Sequence, residues 1–167
     1  LVTSPETQRA FNLDLEQDAI KDRYGRHLFG QSCLLARRLT AAGVPLVTVY
    51  WHPDGNAVAP SWDTHEKNYY HLKSHLMSPC DRAFSALIED LEQRGQLQDT
   101  LVIWMGEFGR TPKLNNGSPS GVGLPGRDHW AQLCTLFTFG GNYEQGRVIG
   151  KSDRLESVRE ESPFEPK

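Results

Sequence analysis

The chain has 167 residues, of which 38% are hydrophobic and 23% are charged, and its formal net charge is −3. This length and composition are sufficient for a domain with a hydrophobic core, which excludes an intrinsically disordered protein. No block of lysine and arginine stands out, and no apolar run approaches the ~20 residues of a membrane-spanning helix, so neither a dedicated nucleic-acid binder nor a membrane span is expected.

The first part of the chain is predicted to be helical. Residues 4–24 fit one or two short helices, because Ser4 followed by Pro5 is a favourable N-cap and first-turn pair. A longer helix is predicted from about Gly30, and Gly43 is its expected end.

Two strands flanking a helix are predicted next. Residues 45–51 (PLVTVYW) have the β-branched and aromatic composition of a strand. Apolar residues then recur every three or four positions from Leu72 to Leu91, which predicts an amphipathic helix that ends at Gly95. The apolar run 100–105 (TLVIWM) predicts a second strand that is buried on both faces. This order is typical of a right-handed parallel βαβ unit.

The last predicted strand, 132–140, follows a loop without a helix. Since a parallel pairing needs a long crossover connection, we expect strand 132–140 to run antiparallel to strand 100–105. The predicted fold class is α/β, with a mainly parallel sheet flanked by helices and one antiparallel strand. Ligands of such sheets gather at the strand ends, where this topology would bring His129 to the same edge as Asp63 and Glu107.

Three polar clusters meet at this predicted edge, namely residues 62–65, 106–111 and 126–130. Carboxylates and imidazoles together suit a divalent cation of the Zn, Mn or Fe type, whereas Mg and Ca prefer an all-oxygen set. Asp63 and His65 lie two residues apart, so an extended or turn backbone could direct both side chains to one centre. The clusters therefore predict a metal site.

Each cluster also has a purely structural interpretation. Asp63 or Thr64 could cap a helix that begins at Glu66 or Lys67. Glu107 could pair with Arg110, although the Arg110 guanidinium is equally suited to a phosphate or sulfate group.

Residues 126–130 could form a turn in which Asp128 is a cap and His129 is packed. His71 and His75 lie four residues apart, but without a third ligand they are expected to be solvated surface residues. The odd number of cysteines and the lack of a C-x-x-C pair predict that Cys33, Cys80 and Cys134 are small core residues.

Five segments together resemble the DUF1501 family: SPETQRAF, RYGRHLFGQSCLLARRL, WDTH, MGEFGRTP and GRDHW. The resemblance covers residues 4–153 and rests mainly on the last two segments. The family is grouped with the alkaline phosphatase and sulfatase superfamily, an α/β sandwich whose members hydrolyse phosphate or sulfate esters at a site of divalent metals. The resemblance implies that residues 1–153 are the C-terminal portion of a single, incomplete domain and that residues 154–167 are an irregular tail.

The resemblance also implies residue roles. Glu107 stands where the superfamily has a metal-binding Asp, His129 matches a later metal-binding His, and Asp63 and His65 match the ligand pair before the central helix. Phe108 stands where the superfamily has a His, which points to a single metal or to a non-catalytic relative. The nucleophilic Ser or Thr lies early in these folds, and the chain offers no convincing candidate.

The function implied is a metal-dependent hydrolase of phosphate or sulfate esters, with Zn or Mn as the expected cofactor and Ca or Mg as alternatives. Arg110 would bind the anionic substrate, and Asp128 would orient His129 by a hydrogen bond. The alternative is a catalytically inactive exported binding or scaffold module of the same superfamily.

The expected partner is a small anionic ester. A carbohydrate-linked substrate is a further alternative, because Trp51, Trp62 and Trp130 are expected near the same rim. The resemblance implies a periplasmic or extracytoplasmic location in a bacterium.

Overall fold

A computed structural model describes residues 4–52, 61–116 and 124–154, together with the backbone of 159–161. The described chain is a mixed helix and strand structure with two compact units. The first unit contains Leu1–Asp63 and Tyr70–Thr100, and the second contains Thr64–Tyr69 and Leu101–Lys167. Among the described helices, none has the length and apolar character needed to cross a membrane.

The helices at the start of the first unit form where the sequence predicts them. The Ser4 hydroxyl accepts a hydrogen bond from the backbone N–H of Thr7 at 3.2 Å, which confirms the predicted cap. Nδ1 of His27 accepts from the N–H of Gly30 at 3.1 Å, so the long helix begins two residues earlier than predicted. The elements are α1 (Pro5–Phe11), a 3₁₀ turn (Leu13–Leu15), α2 (Asp18–Tyr24) and α3 (Leu28–Ala41).

A second helical run comprises α4 (Asn68–His71), a π-helical turn (Leu72–Leu76) and α5 (Met77–Gln93). The predicted apolar stripe is confirmed, because Leu76, Cys80, Leu87 and Leu91 are all buried. Helix α5 packs on α2 and α3, and this packing forms the core of the first unit. Gly95, at φ +67°, follows the helix as expected of a residue that must adopt a left-handed backbone.

A buried ion-pair network connects these helices. Arg37 is 5% exposed, and its Nη2 lies 2.7 Å from Oε2 of Glu16. Its Nε lies 2.8 Å from Oδ2 of Asp90, an ion-pair contact whose angle is not that of a hydrogen bond. The hydroxyl of Tyr24 donates to the same carboxylate at 3.0 Å. Burial acts to raise the pKa of Glu16, but hydrogen bonds from Arg37 and Arg38 outweigh it and lower the pKa below 4.5.

The prediction of a strand at 45–51 is wrong for the structure, which has no strand there. Val47, Val49 and Trp51 are half-buried and alternate with more exposed neighbours, so the burial has the period of a strand. A strand also needs a hydrogen-bonded neighbour, and none of the described ladders includes this segment. The predicted parallel βαβ unit is therefore not found among the described residues.

The second unit contains small antiparallel sheets. Strand β1 (Leu101–Met105) pairs with β4 (Leu136–Gly140), and the register runs from Leu101 opposite Gly140 to Met105 opposite Leu136. The predicted antiparallel direction is thus confirmed. The remaining described strands are β2 (Gly109–Arg110), β3 (His129–Trp130), β5 (Lys151–Ser152) and β6 (Arg159–Glu161). They form the antiparallel pairs β2–β3 and β5–β6, so part of the tail predicted to be irregular is a strand.

Two burial predictions differ from the structure. Strand β1 was expected to be buried on both faces, but Leu101, Ile103 and Met105 are 43%, 53% and 57% exposed. The reason is that its sheet has two strands and only one face is partly covered. That face carries the two half-buried residues that alternate with these three. Cys134 is exposed, contrary to the prediction, whereas Cys33 and Cys80 are buried as predicted.

Candidate metal centre

The segment Thr64–Tyr69 is held in place by buried polar contacts and by one backbone bond. The side-chain amide of Asn68 donates to the Thr64 hydroxyl at 2.6 Å, and both residues are 5% exposed. Lys67 has φ +52°, and its N–H donates to the carbonyl of Leu124 at 3.1 Å. Helix α4 begins at Asn68, one residue after the later of the two helix starts, Glu66 and Lys67, in the capping interpretation.

The short strands β2 and β3 position the second part of the site. The N–H of Gly109 donates to the carbonyl of Leu133 at 2.6 Å, and a Cβ at Gly109 would lie 2.4 Å from that oxygen. Only glycine allows this approach. The N–H of Thr111 donates to the carbonyl of Asp128 at 2.9 Å, and the Thr111 hydroxyl accepts from the N–H of Asp128 at 3.2 Å. These bonds fix the backbone next to His129.

Asp63, His65 and His129 form a group that could hold a metal ion. One ligand atom from each residue lies within 4.8 Å of the other two. Ligand atoms around zinc lie about 2.0–2.2 Å from the ion, so two of them are at most about 4 Å apart. Small side-chain rotations would therefore close the group around a cation. Asp63 and His129 are exposed and His65 is half-buried, so the group is accessible from solvent.

Aromatic contacts support the two imidazoles. The ring centroid of His129 lies 4.5 Å from that of His65 and 4.6 Å from that of Phe108. Phe108 thus packs against the ligand ring of His129. Phe108 offers no ligand atom, and its ring borders one side of the candidate site.

Asp128 contacts His65. Its Oδ1 lies 3.2 Å from Nδ1 of His65. The predicted orientation of His129 by Asp128 stays a prediction. Hydrogen bonds from His65 and Asn115 lower the pKa of Asp128. An ionised carboxylate only accepts hydrogen bonds, so this contact favours the tautomer of His65 in which Nδ1 carries the proton and Nε2 carries the lone pair.

Gly126 allows the two segments of the site to approach each other. A Cβ at this residue would lie 2.1 Å from the carbonyl oxygen of His65 and 3.0 Å from Cα of Glu66. No side chain fits into that distance, so glycine is required for the close approach.

Arg110 lies beside the group. It pairs directly with His129 across β2 and β3, so both side chains emerge on the same face of the ladder. Its Nη1 donates to the carbonyl of Arg127 at 3.1 Å. Glu107, the fourth predicted ligand, is exposed after β1 and is not a member of the group of three. Its role as a ligand and its pairing with Arg110 stay predictions.

The other candidate residues are not members of the group of three in the described part of the chain. Trp51 and Trp62 pack against each other in the first unit at 5.5 Å between ring centroids, whereas Trp130 is in β3 of the second. The rings of His71 and His75 are 6.0 Å apart on the second helical run. They do not belong to the metal-ligand group found in the described part of the chain.

Sequence reasoning missed Asn115. Its side-chain amide donates to the carbonyl of His65 at 2.9 Å and to Oδ1 of Asp128 at 3.1 Å. It lies in a stretch rich in Gly, Pro, Asn and Ser, and no pattern distinguishes it from its neighbour Asn116. Gly126 carried a weak signal, since glycines often mark a close backbone approach.

Comparison with curated proteins and with solved structures finds no match to the chain. A family model described as "Protein of unknown function (DUF1501)" matches residues 2–167. The match spans nearly the whole chain and includes every residue of the metal-ligand group. The chain therefore belongs to the DUF1501 family.

Proposed function

We propose that the protein is a divalent-metal-dependent hydrolase of phosphate or sulfate esters. The observation that carries the proposal is the grouping of Asp63, His65 and His129, whose ligand atoms lie within 4.8 Å of one another. A carboxylate and two imidazoles accessible to solvent are the donor set of a catalytic rather than a structural cation site, because three protein ligands leave a position for substrate.

The donor set favours zinc or manganese. Imidazole nitrogen suits Zn and Fe, and carboxylate oxygen suits Mn, whereas Ca and Mg are usually bound by oxygen alone. When bound, a divalent cation would supply Lewis acidity that neutralises charge on the ester oxygens. A single ion is proposed at this group, because Phe108, which stands where the superfamily has a His, offers no ligand atom.

Arg110 is the residue proposed to hold the anionic substrate. Its guanidinium is always charged and has planar donors that match the oxygens of phosphate or sulfate. It emerges on the same face of the β2–β3 ladder as His129, the residue opposite it. A substrate oxygen next to the cation would therefore lie within reach of this side chain.

The wider assignment is part of the proposal. We infer that the chain is related to the alkaline phosphatase and sulfatase superfamily and has an exported location, as the resemblance implies. Phosphate and sulfate esters are the proposed substrates, because the site combines a cation position with the guanidinium of Arg110.

Hydrolysis of 4-nitrophenyl phosphate and 4-nitrophenyl sulfate tests the proposal. The protein is expected to hydrolyse one of them after loading with Zn²⁺ or Mn²⁺ and to lose the activity in chelator. His129→Ala is expected to reduce the rate by at least about 10-fold, because even residues that only support a ligand contribute that much. His75→Ala, a histidine outside the group, is the matched control and should retain the rate.

Two results separate this proposal from its alternative. Stoichiometric metal without hydrolysis of either ester would support a catalytically inactive binding module. Hydrolysis that is the same in the wild type and in His129→Ala would exclude this group as the active site.

A further inference from the structure

The side chain of Asn115 joins three parts of the second unit. Its Nδ2 donates to the carbonyl of His65 at 2.9 Å and to Oδ1 of Asp128 at 3.1 Å. Its Oδ1 accepts from the N–H of Gly126 at 2.9 Å, and its backbone N–H donates to the carbonyl of that glycine at 3.0 Å. One amide thus uses both its donor and its acceptor ends within the site.

These bonds meet at the atom that orients His65. Oδ1 of Asp128 receives the amide of Asn115 and also contacts Nδ1 of His65 at 3.2 Å. The Asp128 side chain is 55% exposed, so little packing restrains it. The hydrogen bond from Asn115 therefore restrains the carboxylate that would otherwise rotate among several positions.

The same amide also fixes the backbone of His65. Nδ2 of Asn115 donates both to the carbonyl of His65 and to Oδ1 of Asp128. It therefore fixes the distance between the backbone of His65 and the Asp128 carboxylate. The close approach of Gly126 to the His65 carbonyl supports this arrangement. Contacts of this kind fix the ring orientation of a metal-binding histidine.

We propose that Asn115 is a positioning residue that, through Asp128, keeps His65 in the Nδ1–H tautomer with Nε2 directed to the cation. This inference rests on the proposed metal centre. Asparagine suits the role because the position needs a donor toward Asp128 and an acceptor toward Gly126 at once. An aspartate would lack the donor, and an alanine would lack both groups.

Zinc titration by calorimetry tests the inference, with Asn115→Leu as the main variant and Asn115→Ala as the second. Leucine has a similar volume but forms none of these side-chain hydrogen bonds. Each variant is expected to bind Zn²⁺ about 10-fold more weakly, the lower end of the range for groups that support a ligand. Asn116→Ala is the matched control, because Asn116 is the exposed next residue, and its affinity should equal that of the wild type.

A double-mutant cycle distinguishes positioning from general loosening of the fold. If Asn115 acts through Asp128, then Asn115→Leu should change the zinc affinity by less than about 2-fold in an Asp128→Ala background. An equal loss in both backgrounds, or no loss in the wild-type background, would overturn the inference.

The tautomer of His65 can be measured without metal by ¹⁵N nuclear magnetic resonance, with the signals assigned from His65→Gln. The Nδ1–H form is expected in the wild type, and a mixture of both tautomers is expected in Asn115→Leu. If the wild type binds no zinc but its single His65 tautomer becomes a mixture in Asn115→Leu, the proposed metal centre fails, and only the positioning of His65 by Asn115 stands. If zinc binds but the tautomer is the same in both proteins, the inference fails and the proposed function stands.

Discussion

Oδ1 of Asp128 lies 3.2 Å from Nδ1 of His65, a residue 63 positions earlier in the chain. The contact orients a candidate metal ligand from the side away from the cation. Asp128→Ala should therefore weaken zinc binding by about 10–100-fold, the usual effect of losing a group that supports a histidine ligand. Asp99→Ala, a change at an exposed carboxylate in the first unit, should leave the affinity unchanged. Equal zinc affinities in Asp128→Ala and the wild type would contradict this role.

Gly126→Ala should disturb the same site through the backbone. The added Cβ would lie 2.1 Å from the carbonyl oxygen of His65, so the segment that carries this ligand must move. Overpacking of this kind costs about 1–3 kcal/mol, which thermal unfolding would detect, and zinc affinity should fall as well. Gly106→Ala is the control, because its Cβ would meet its nearest neighbour at 3.8 Å. A Gly126→Ala protein as stable as Gly106→Ala would exclude the close approach.

The buried network around Arg37 predicts how stability depends on pH. The folded-state pKa of Glu16 is lowered, so its contribution is present above the unfolded-state pKa and is lost as the pH falls through the folded-state pKa. Glu16→Gln should therefore cost about 1–3 kcal/mol at pH 7, the range for hydrogen bonds to charged groups.

Urea unfolding at several pH values measures this effect. The stability difference between the wild type and Glu16→Gln should shrink as the pH falls from 5 toward 3. Glu92→Gln, an exposed change near the end of α5, should show no such trend. A difference for Glu16→Gln that is equal at pH 7 and pH 3 would refute the assignment.

The three cysteines should differ in reactivity. Burial raises the pKa of Cys33 to about 12 and that of Cys80 to about 11, whereas Cys134 is exposed. Because the thiolate is the reactive form, a short treatment of the folded protein with iodoacetamide should label Cys134 alone. Peptide mass spectrometry locates the label, and denatured protein should be labelled at all three residues. Rapid labelling of Cys33 in the folded state would contradict the buried core between α3 and α5.

Local patterns predicted much of the fold. Helical periodicity alone predicts which face of the second helical run is buried. The buried residues on that face are Leu76, Cys80, Leu87 and Leu91. The antiparallel pairing of β1 with β4 followed from the missing crossover helix. Residues 45–51 have the composition of a strand, but pairing depends on a distant partner that composition does not specify. The two-residue strands β2 and β3 are too short to leave a sequence signal.

The candidate site was predicted in part. Asp63, His65 and His129 come together as expected. The parallel sheet whose edge was expected to gather them is not found among the described residues. The contact between Asp128 and His65 was not predicted, because these residues lie 63 positions apart in the chain. The predicted role of Asp128 in orienting His129 stays a prediction. Asn115 could not be found, since its role depends on contacts 13 and 50 positions away.

Metal content is the most direct test of the central claim that Asp63, His65 and His129 bind one divalent cation. The protein would be equilibrated with Zn²⁺, dialysed and analysed by inductively coupled plasma mass spectrometry beside His65→Ala, His129→Ala and the control His75→Ala. We expect about one zinc per chain in the wild type and the control, and far less in the other two, because each loses a ligand of a three-ligand site. A wild type without zinc, or equal zinc in all four proteins, would contradict the account.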